Sequence, residues 1–266
     1  LWLLQKLSLL SGLDIASWPV PLGVEHGLRP AADFLHPGHL GTFLVAGGMA
    51  WVGHALFASE ARAKLLGGLA LIACGLAGGA RGSVVGLFAG GVLLAIFAAS
   101  PQLRRYILAG LAVLTTAGVV AVVVRFSAGD PYMWRRVEIW QASVGAILDR
   151  PWFGFGPGGF EAVAAHYRFL DPGPAAHFGR TFSGPHSDAL NLFLSFGLIG
   201  GALSLSLLLM LGGRALRTAR LAHHADPALA GGAAALVVLV AHGLADDLLS
   251  ERPAAAIVAA LLLGAL

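Results

Sequence analysis

Residues 190–212 read Leu190-Asn-Leu-Phe-Leu-Ser-Phe-Gly-Leu-Ile-Gly-Gly-Ala-Leu-Ser-Leu-Ser-Leu-Leu-Leu-Met-Leu-Gly212, and this stretch decides the class of fold. It has no charged side chain, and about 20 apolar residues in a helix are enough to cross a bilayer. The rest of the chain has the same character. Of its 266 residues, 57% are hydrophobic and 12% are charged, against about 25% charged residues in a soluble domain. The sequence therefore predicts a helical membrane protein.

Other apolar runs extend this prediction to an all-α, polytopic transmembrane bundle. They are 39–59, 65–80, 83–100, 106–124, 228–248 and 254–266. We expect three parts: an N-terminal part, 1–125, with four spans; a loop, 126–189; and C-terminal spans in 190–266. Because the chain starts at Leu1 and its last apolar run stops abruptly, we expect it to be a piece of a longer protein.

Basic residues predict which side of the membrane each loop faces, because short cytoplasmic loops are enriched in Lys and Arg. The basic residues of the short loops 60–64, 101–105 and 213–227 alternate correctly for a cytoplasmic location. The long loop 126–189 then faces outward, and nine arginines fall on or near that outer side. These are Arg29, Arg81, Arg125, Arg135, Arg136, Arg150, Arg168, Arg180 and Arg252.

The outer arginines suggest a phosphate-bearing ligand, because guanidinium binds phosphate in a bidentate manner. Pairing with loop acids or with lipid headgroups explains any single arginine about as well. Nucleic acid is not indicated, since no basic patch carries interleaved aromatic residues. The single Cys74 excludes a disulfide framework and a cysteine-based metal site.

The long loop shows its own helical pattern. Apolar residues at helical spacing predict a helix over 131–149 with Val137, Trp140, Val144 and Ile147 on one face. The Gly-rich stretch 154–159 then predicts a turn, and a second helix is expected at 158–170. No Gly-Lys-Ser/Thr follows, so the turn is not a nucleotide-binding loop.

Few side chains in the sequence are candidates for catalysis, ion transport or metal binding. His186 precedes the 190–212 run, where a neutral imidazole can accept a proton from a hydroxyl, although a structural interfacial histidine is the more common case. Asp246 and Asp247 could serve an ion path or mark the interface. His36 and His39 lack an evident third ligand, and no Asp-x-Asp pattern is present, so a metal-dependent transferase is disfavoured. We expect His223 and His224 to be solvated.

Several motifs together resemble the O-antigen ligase and polymerase family. In chain order they are Arg29 with Phe34-Leu-His-Pro-Gly-His-Leu40, Ala80-Arg81-Gly82-Ser83, Arg136-Val-Glu-Ile-Trp140, Asp149-Arg-Pro-Trp-Phe-Gly-Phe-Gly-Pro-Gly-Gly-Phe160, and His186-Ser187 with Gly197-Leu-Ile-Gly200. The resemblance covers about residues 25 to 250. Ala80 stands where the family carries a serine, and Ser187 where asparagine is common.

The resemblance implies a GT-C-like glycosyltransferase of the bacterial inner membrane with its active site facing the periplasm. Such an enzyme moves a glycan from undecaprenyl diphosphate to an acceptor, with neither metal nor cofactor. His186 matches the base that activates the acceptor hydroxyl, and Arg81 and Arg136 match the arginines that bind the diphosphate. Arg135 could replace Arg136, while Ser187 and Arg29 are possible supporting residues.

Three alternatives to a ligase remain open at the sequence level: a polymerase, a transporter and a structural subunit. A ligase, with lipid A–core as acceptor, is slightly favoured over a polymerase that extends a lipid-linked repeat. A small-anion transporter of the bicarbonate type is a different class, but the chain shows no convincing repeat. A structural membrane subunit would not need a folded outer loop with an aligned histidine and arginines.

Overall fold

The computed structural model describes residues 37–59, 62–77, 81–100, 131–160, 184–244, 246–251 and 253–265, together with single positions between 102 and 120. Every regular element in these ranges is an α-helix, which confirms the all-α prediction. The helices are α1 (Pro37–Phe57), α2 (Arg62–Ala77), α3 (Arg81–Ala98), α4 (Pro131–Asp149), α5 (Asp188–Ala222), α6 (Pro227–Gly243), α7 (Leu248–Glu251) and α8 (Pro253–Ala265).

Two helices are long and apolar enough to cross a bilayer, namely Gly38–Phe57 within α1 and the whole of α5. Gly82–Ala98, Pro227–Gly243 and Ala256–Ala265 are apolar but shorter. Most of the predicted span 106–124 and of the predicted helix 158–170 lies outside the described residues. Exposed leucines such as Leu203 and Leu209, each 68% exposed, occur along α5, as expected for a surface that faces lipid.

The chain divides into two compact units, Leu1–Leu94 with Leu211–Leu266, and Ala95–Met210. In the first unit, α6 is the central helix, with ten of its 17 residues buried. Small residues allow its neighbours to approach closely. A Cβ on Gly231 would overlap the Ala50 carbonyl of α1, and a Cβ on Gly86 of α3 would lie 2.8 Å from Val238.

Glycines also bring α1 and α2 together in the first unit. A Cβ on Gly48 would lie 2.6 Å from the Gly68 carbonyl oxygen, and a Cβ on Gly75 would lie 2.6 Å from that of Gly41. The pairing of an early residue of α1 with a late one of α2 makes the two helices antiparallel. Backbone contact at this distance replaces side-chain interdigitation, which explains why the weakly patterned, Gly-rich helix α2 packs at all.

In the second unit, α4 packs against the first half of α5. The core consists of Ile139, Ala146, Ile147, Phe160 and Leu194, all of which are at most 7% exposed. The helix bounds agree with the predicted 131–149, but the predicted buried face is wrong in part, because Val144 is 45% exposed. Ile139 and Ser143 are buried instead, because the face that meets α5 and Phe160 is rotated by about one residue.

The sequence pattern suggested that the helix of the 190–212 run ends at residue 212, but it does not end there. α5 continues for ten further residues, to Ala222, with no break at Gly212-Gly213. Ala215 and Ala219 are 2% and 0% exposed, whereas Arg214, Arg217 and Arg220 are exposed. The basic segment is therefore an amphipathic extension of the helix and not a loop, because its small residues pack while its arginines face outward.

Candidate functional site

His186 lies immediately before α5 in an unusual backbone conformation. Its φ of 51° makes it the one non-glycine residue with positive φ among the described residues. This left-handed region is sparsely populated by side-chain-bearing residues, and such strain concentrates at functional sites. The side chain of His186 is half-buried. The backbone therefore turns sharply at the residue that the sequence singled out as a possible base.

Ser187 caps the helix that follows. Its hydroxyl oxygen accepts a hydrogen bond from the Leu190 amide at 3.5 Å, and its carbonyl accepts one from Asn191 at 2.9 Å. Ser187 is 5% exposed. A serine at the N-cap satisfies an amide that the first turn leaves without a helical partner. Ser187 thus fixes the start of α5 and, with it, the position of the neighbouring His186.

The Gly-rich turn, residues 150–159, is hydrogen-bonded to a break inside α5. Gly197 of α5 has φ 68° and ψ −171°, which interrupts the helical hydrogen bonds. The Leu198 amide donates to the Pro151 carbonyl at 2.6 Å, while the Phe155 amide donates to the Leu194 carbonyl at 2.9 Å. In a regular helix, Leu198 would donate to Leu194. The Gly-rich turn therefore supplies hydrogen-bond partners for the Leu198 amide and the Leu194 carbonyl, which would bond to each other in an unbroken helix.

Glycine is required on both sides of this junction. Gly154 has φ 65°, and a Cβ there would lie 2.5 Å from the Leu194 carbonyl oxygen. A Cβ on Gly197 would overlap the backbone of Trp152. The sequence pattern had indicated a plain turn between two helices and a glycine pair for helix approach. The structure instead shows that the two motifs form one hydrogen-bonded junction.

A groove of about 480 Å³ is lined by Trp140, Gln141 and Val144 of α4 and by Leu190 of α5. The indole Nε1 of Trp140 is buried and has no hydrogen-bond partner among the described residues. Leu190 follows His186 by four residues, and Trp140 follows Arg136 by four. The groove is therefore close along the chain to both His186 and the paired arginines.

The predicted arginines are placed only in part. Arg135 and Arg136 lie in α4, one turn before Ile139, and belong to the same compact unit as His186. Arg81 is the first residue of α3, in the other unit. The side chains of these three arginines, and all of Arg29, lie outside the described residues.

The first unit contains a polar network that the sequence did not predict. The Thr42 hydroxyl oxygen lies 2.6 Å from Nδ1 of His242 and 3.2 Å from the Ser83 hydroxyl. On its other side, Nε2 of His242 lies 3.5 Å from Oδ2 of Asp246. Nε2 of His39 lies 3.8 Å from the same oxygen. A histidine within an apolar run is costly unless partnered, and that signal could have singled out His242.

This network revises the interpretation of the neighbouring histidines and acids. His39 lies close to two further potential metal ligands, His242 and Asp246, which are more than 200 positions away along the chain. Asp247 is 1% exposed. His36 lies outside the described residues.

The expectation that His223 and His224 are both solvated is wrong for His223. Its side chain is 5% exposed, and its ring packs against Phe57 at a centroid distance of 4.5 Å. Its Nδ1 lies 3.0 Å from the Ala219 carbonyl oxygen. His224, in contrast, is exposed.

The described residues form only helices, and two of these are long and apolar enough to cross a bilayer, which is consistent with a helical membrane protein. A protein-family model described as O-antigen ligase matches residues 47–205, more than half of the chain. The chain belongs to the O-antigen ligase family, a group of glycosyltransferase-like ligases and polymerases, as the motifs had indicated. No curated protein matches it.

Proposed function

We propose that this protein is an O-antigen ligase that transfers a glycan from undecaprenyl diphosphate to a hydroxyl of lipid A–core. The observation that carries the proposal is the start of α5, where His186 has a left-handed backbone and Ser187 caps the helix. Both residues lie within the segment that matches the family. Such a rigid arrangement can hold a general base at one position, which catalysis by proton transfer requires.

The transfer step is a displacement at the anomeric carbon of the donor sugar. The acceptor oxygen attacks that carbon while His186 takes the hydroxyl proton. The bond from the anomeric carbon to the diphosphate oxygen breaks, and the electron pair leaves with undecaprenyl diphosphate. Attack opposite the leaving group inverts the configuration. No metal takes part in this step.

Arginines would stabilise the diphosphate that leaves. Arg135 and Arg136 share a compact unit with His186, which supports this role for the pair. Fixed guanidinium groups aimed at developing negative charge lower the barrier electrostatically. Arg81 is proposed for the same role from its motif, with Arg29 as a further supporting residue.

The proposed setting is the bacterial inner membrane, crossed several times, with His186 on the periplasmic side. Trp152 and Phe153, at the Gly-rich turn, are 62% and 81% exposed. Aromatic side chains are enriched where a membrane meets water. Arg214, Arg217 and Arg220, at the far end of α5, fit the cytoplasmic side by the positive-inside rule.

Complementation of a strain that lacks the full-length gene tests this function. Wild type should restore glycan-capped lipid A–core on a surface-glycan gel, and His186→Ala should not. His224→Ala, which changes an exposed histidine, is the matched control and should complement fully. Immunoblotting of membranes checks that each variant is inserted.

The gel also separates the ligase from its alternatives. If the null strain shows only single repeat units and wild type extends them to a ladder, the protein is a polymerase instead. An unchanged glycan profile in every strain would contradict both activities and would favour other acceptors or transport.

A further inference from the structure

Three potential metal ligands converge in the first unit, outside the segment that the family model matches. They come from His39, His242 and Asp246, and one ligand atom from each lies within 4.8 Å of those of the other two. His39 and His242 are 3% and 2% exposed, and the Asp246 side chain is 15% exposed. His39 comes from the first turn of α1, whereas His242 and Asp246 come from the end of α6 and the residues after it.

The separations fit ligands around one metal ion better than hydrogen bonds. The two histidine nitrogens lie 3.8 and 3.5 Å from Oδ2 of Asp246, and Nε2 of His242 makes no hydrogen bond among the described residues. Ligands at about 2.0–2.1 Å from a tetrahedral zinc ion stand about 3.3 Å apart. A small inward movement of these side chains would therefore complete the coordination.

The surroundings of His242 orient it for coordination through Nε2. The Thr42 hydroxyl oxygen lies 2.6 Å from Nδ1 and accepts a hydrogen bond from Nδ1–H when Nε2 is the metal ligand. The Ser83 hydroxyl lies 3.2 Å from the Thr42 hydroxyl and extends this hydrogen-bonded network. Gly82 packs against the ring itself, where a Cβ would overlap it. A hydrogen bond to the second nitrogen of a ligating histidine is the usual outer-shell arrangement at metal sites.

We propose that His39, His242 and Asp246 bind one divalent transition-metal ion of the zinc type, which joins the start of α1 to the end of α6. Two imidazole nitrogens and one carboxylate oxygen suit zinc, and three protein ligands leave a position for water. The ion links residues more than 200 positions apart along the chain, so its role is to hold these helix ends together. The proposal does not depend on the proposed glycan transfer, because metal binding is measured directly.

Metal binding by the full chain, purified in detergent with a tag that contains no histidine, tests the proposal. After chelator treatment, the protein should take up one Co²⁺ per chain, with the intense visible bands of four-coordinate cobalt, and excess Zn²⁺ should displace it. Zn²⁺ should also raise the melting temperature by about 4 °C or more, because a ligand that binds only the folded state stabilises it.

Four variants assign the binding to these residues. Asp246→Asn and His242→Gln should weaken Co²⁺ binding at least about 100-fold, and Thr42→Val should weaken it about 10- to 100-fold. His224→Gln, at an exposed histidine of the same unit, should bind as wild type does. Asp246→Asn keeps the side-chain shape, so it reports on the ligand even if His242→Gln does not fold.

Two results would overturn the proposal. One is wild-type Co²⁺ uptake no greater than that of Asp246→Asn, which would leave an imidazolium–carboxylate ion pair as the explanation of the cluster. The other is an octahedral spectrum that persists in Asp246→Asn and Thr42→Val, which would show adventitious surface binding. The glycan gel is read separately, so loss of transfer activity cannot be mistaken for loss of the metal.

Discussion

At the scale of single residues, His186 combines a strained backbone with a side chain suited to proton transfer. Its φ of 51° is tolerated better by asparagine than by histidine. His186→Asn should therefore fold at least as well as wild type while losing the base. We expect transfer to fall about 10²- to 10⁴-fold, the usual contribution of general base catalysis.

In vitro transfer from a lipid-linked donor, together with a melting curve in detergent, measures both effects for His186→Asn. A variant with near-normal transfer would show that His186 only shapes the backbone. A variant that fails to insert would instead point to a structural role for the imidazole.

Ser187 acts on the helix start and only indirectly on the chemistry. Ser187→Ala removes the acceptor for the Leu190 amide and should lower stability by about 0.5–1 kcal/mol. Ser187→Asn retains a capping oxygen, so we expect both stability and transfer close to wild type. Thermal melting of the three proteins checks the order. Equal losses in both variants would mean that the hydroxyl does something other than cap α5.

At the scale of elements, the Gly-rich turn and the break in α5 depend on each other. Gly154→Ala forces a side chain into the left-handed region and against the Leu194 carbonyl, and should cost about 3 kcal/mol or more. Gly158 has a similar φ of 75° but no atom within 4 Å of a Cβ. Gly158→Ala should therefore cost only the backbone term, about 1–2 kcal/mol.

Melting temperatures of the two glycine variants, compared with wild type, separate close contact from backbone strain. Similar shifts for Gly154→Ala and Gly158→Ala would contradict the tight junction. A control at Gly91, a helical position with open space around its Cβ, should be neutral or slightly stabilising as Gly91→Ala.

At the scale of the whole molecule, α5 provides a test of membrane orientation. The part of α5 that follows the break at Gly197 spans about 38 Å at 1.5 Å per residue, more than the roughly 30 Å hydrocarbon core. Phe153, in the turn docked on the helix break, and Leu221, near the helix end, are 81% and 74% exposed. They should lie on opposite sides of the membrane.

Cysteine labelling in intact cells measures this orientation. In a Cys74→Ser background, Phe153→Cys should react with a membrane-impermeant maleimide once the outer membrane is permeable. Leu221→Cys should react only after the inner membrane is opened. Labelling of both positions from the same side would contradict the proposed path of α5.

Apolar runs and family motifs in the sequence predicted much of this protein, and the reason is local. Unbroken apolar runs lead to helices because the backbone must satisfy its own hydrogen bonds in lipid. The start of α4 at Pro131 follows from the preference of proline for the first turn of a helix, and its end at Asp149 agrees with Pro151. Motif order was enough to indicate the family, since order and spacing are properties of the chain itself.

The tertiary structure decided what depends on residues far apart in sequence. The face of α4 that is buried followed from its contact with Leu194 and Phe160, and the end of α5 followed from the packing of Ala215 and Ala219. The exchange of hydrogen bonds at Gly197 and the meeting of His39 with His242 join segments that local periodicity cannot relate. Local pattern fixes which groups a helix must bury, but only packing determines which partner meets each group.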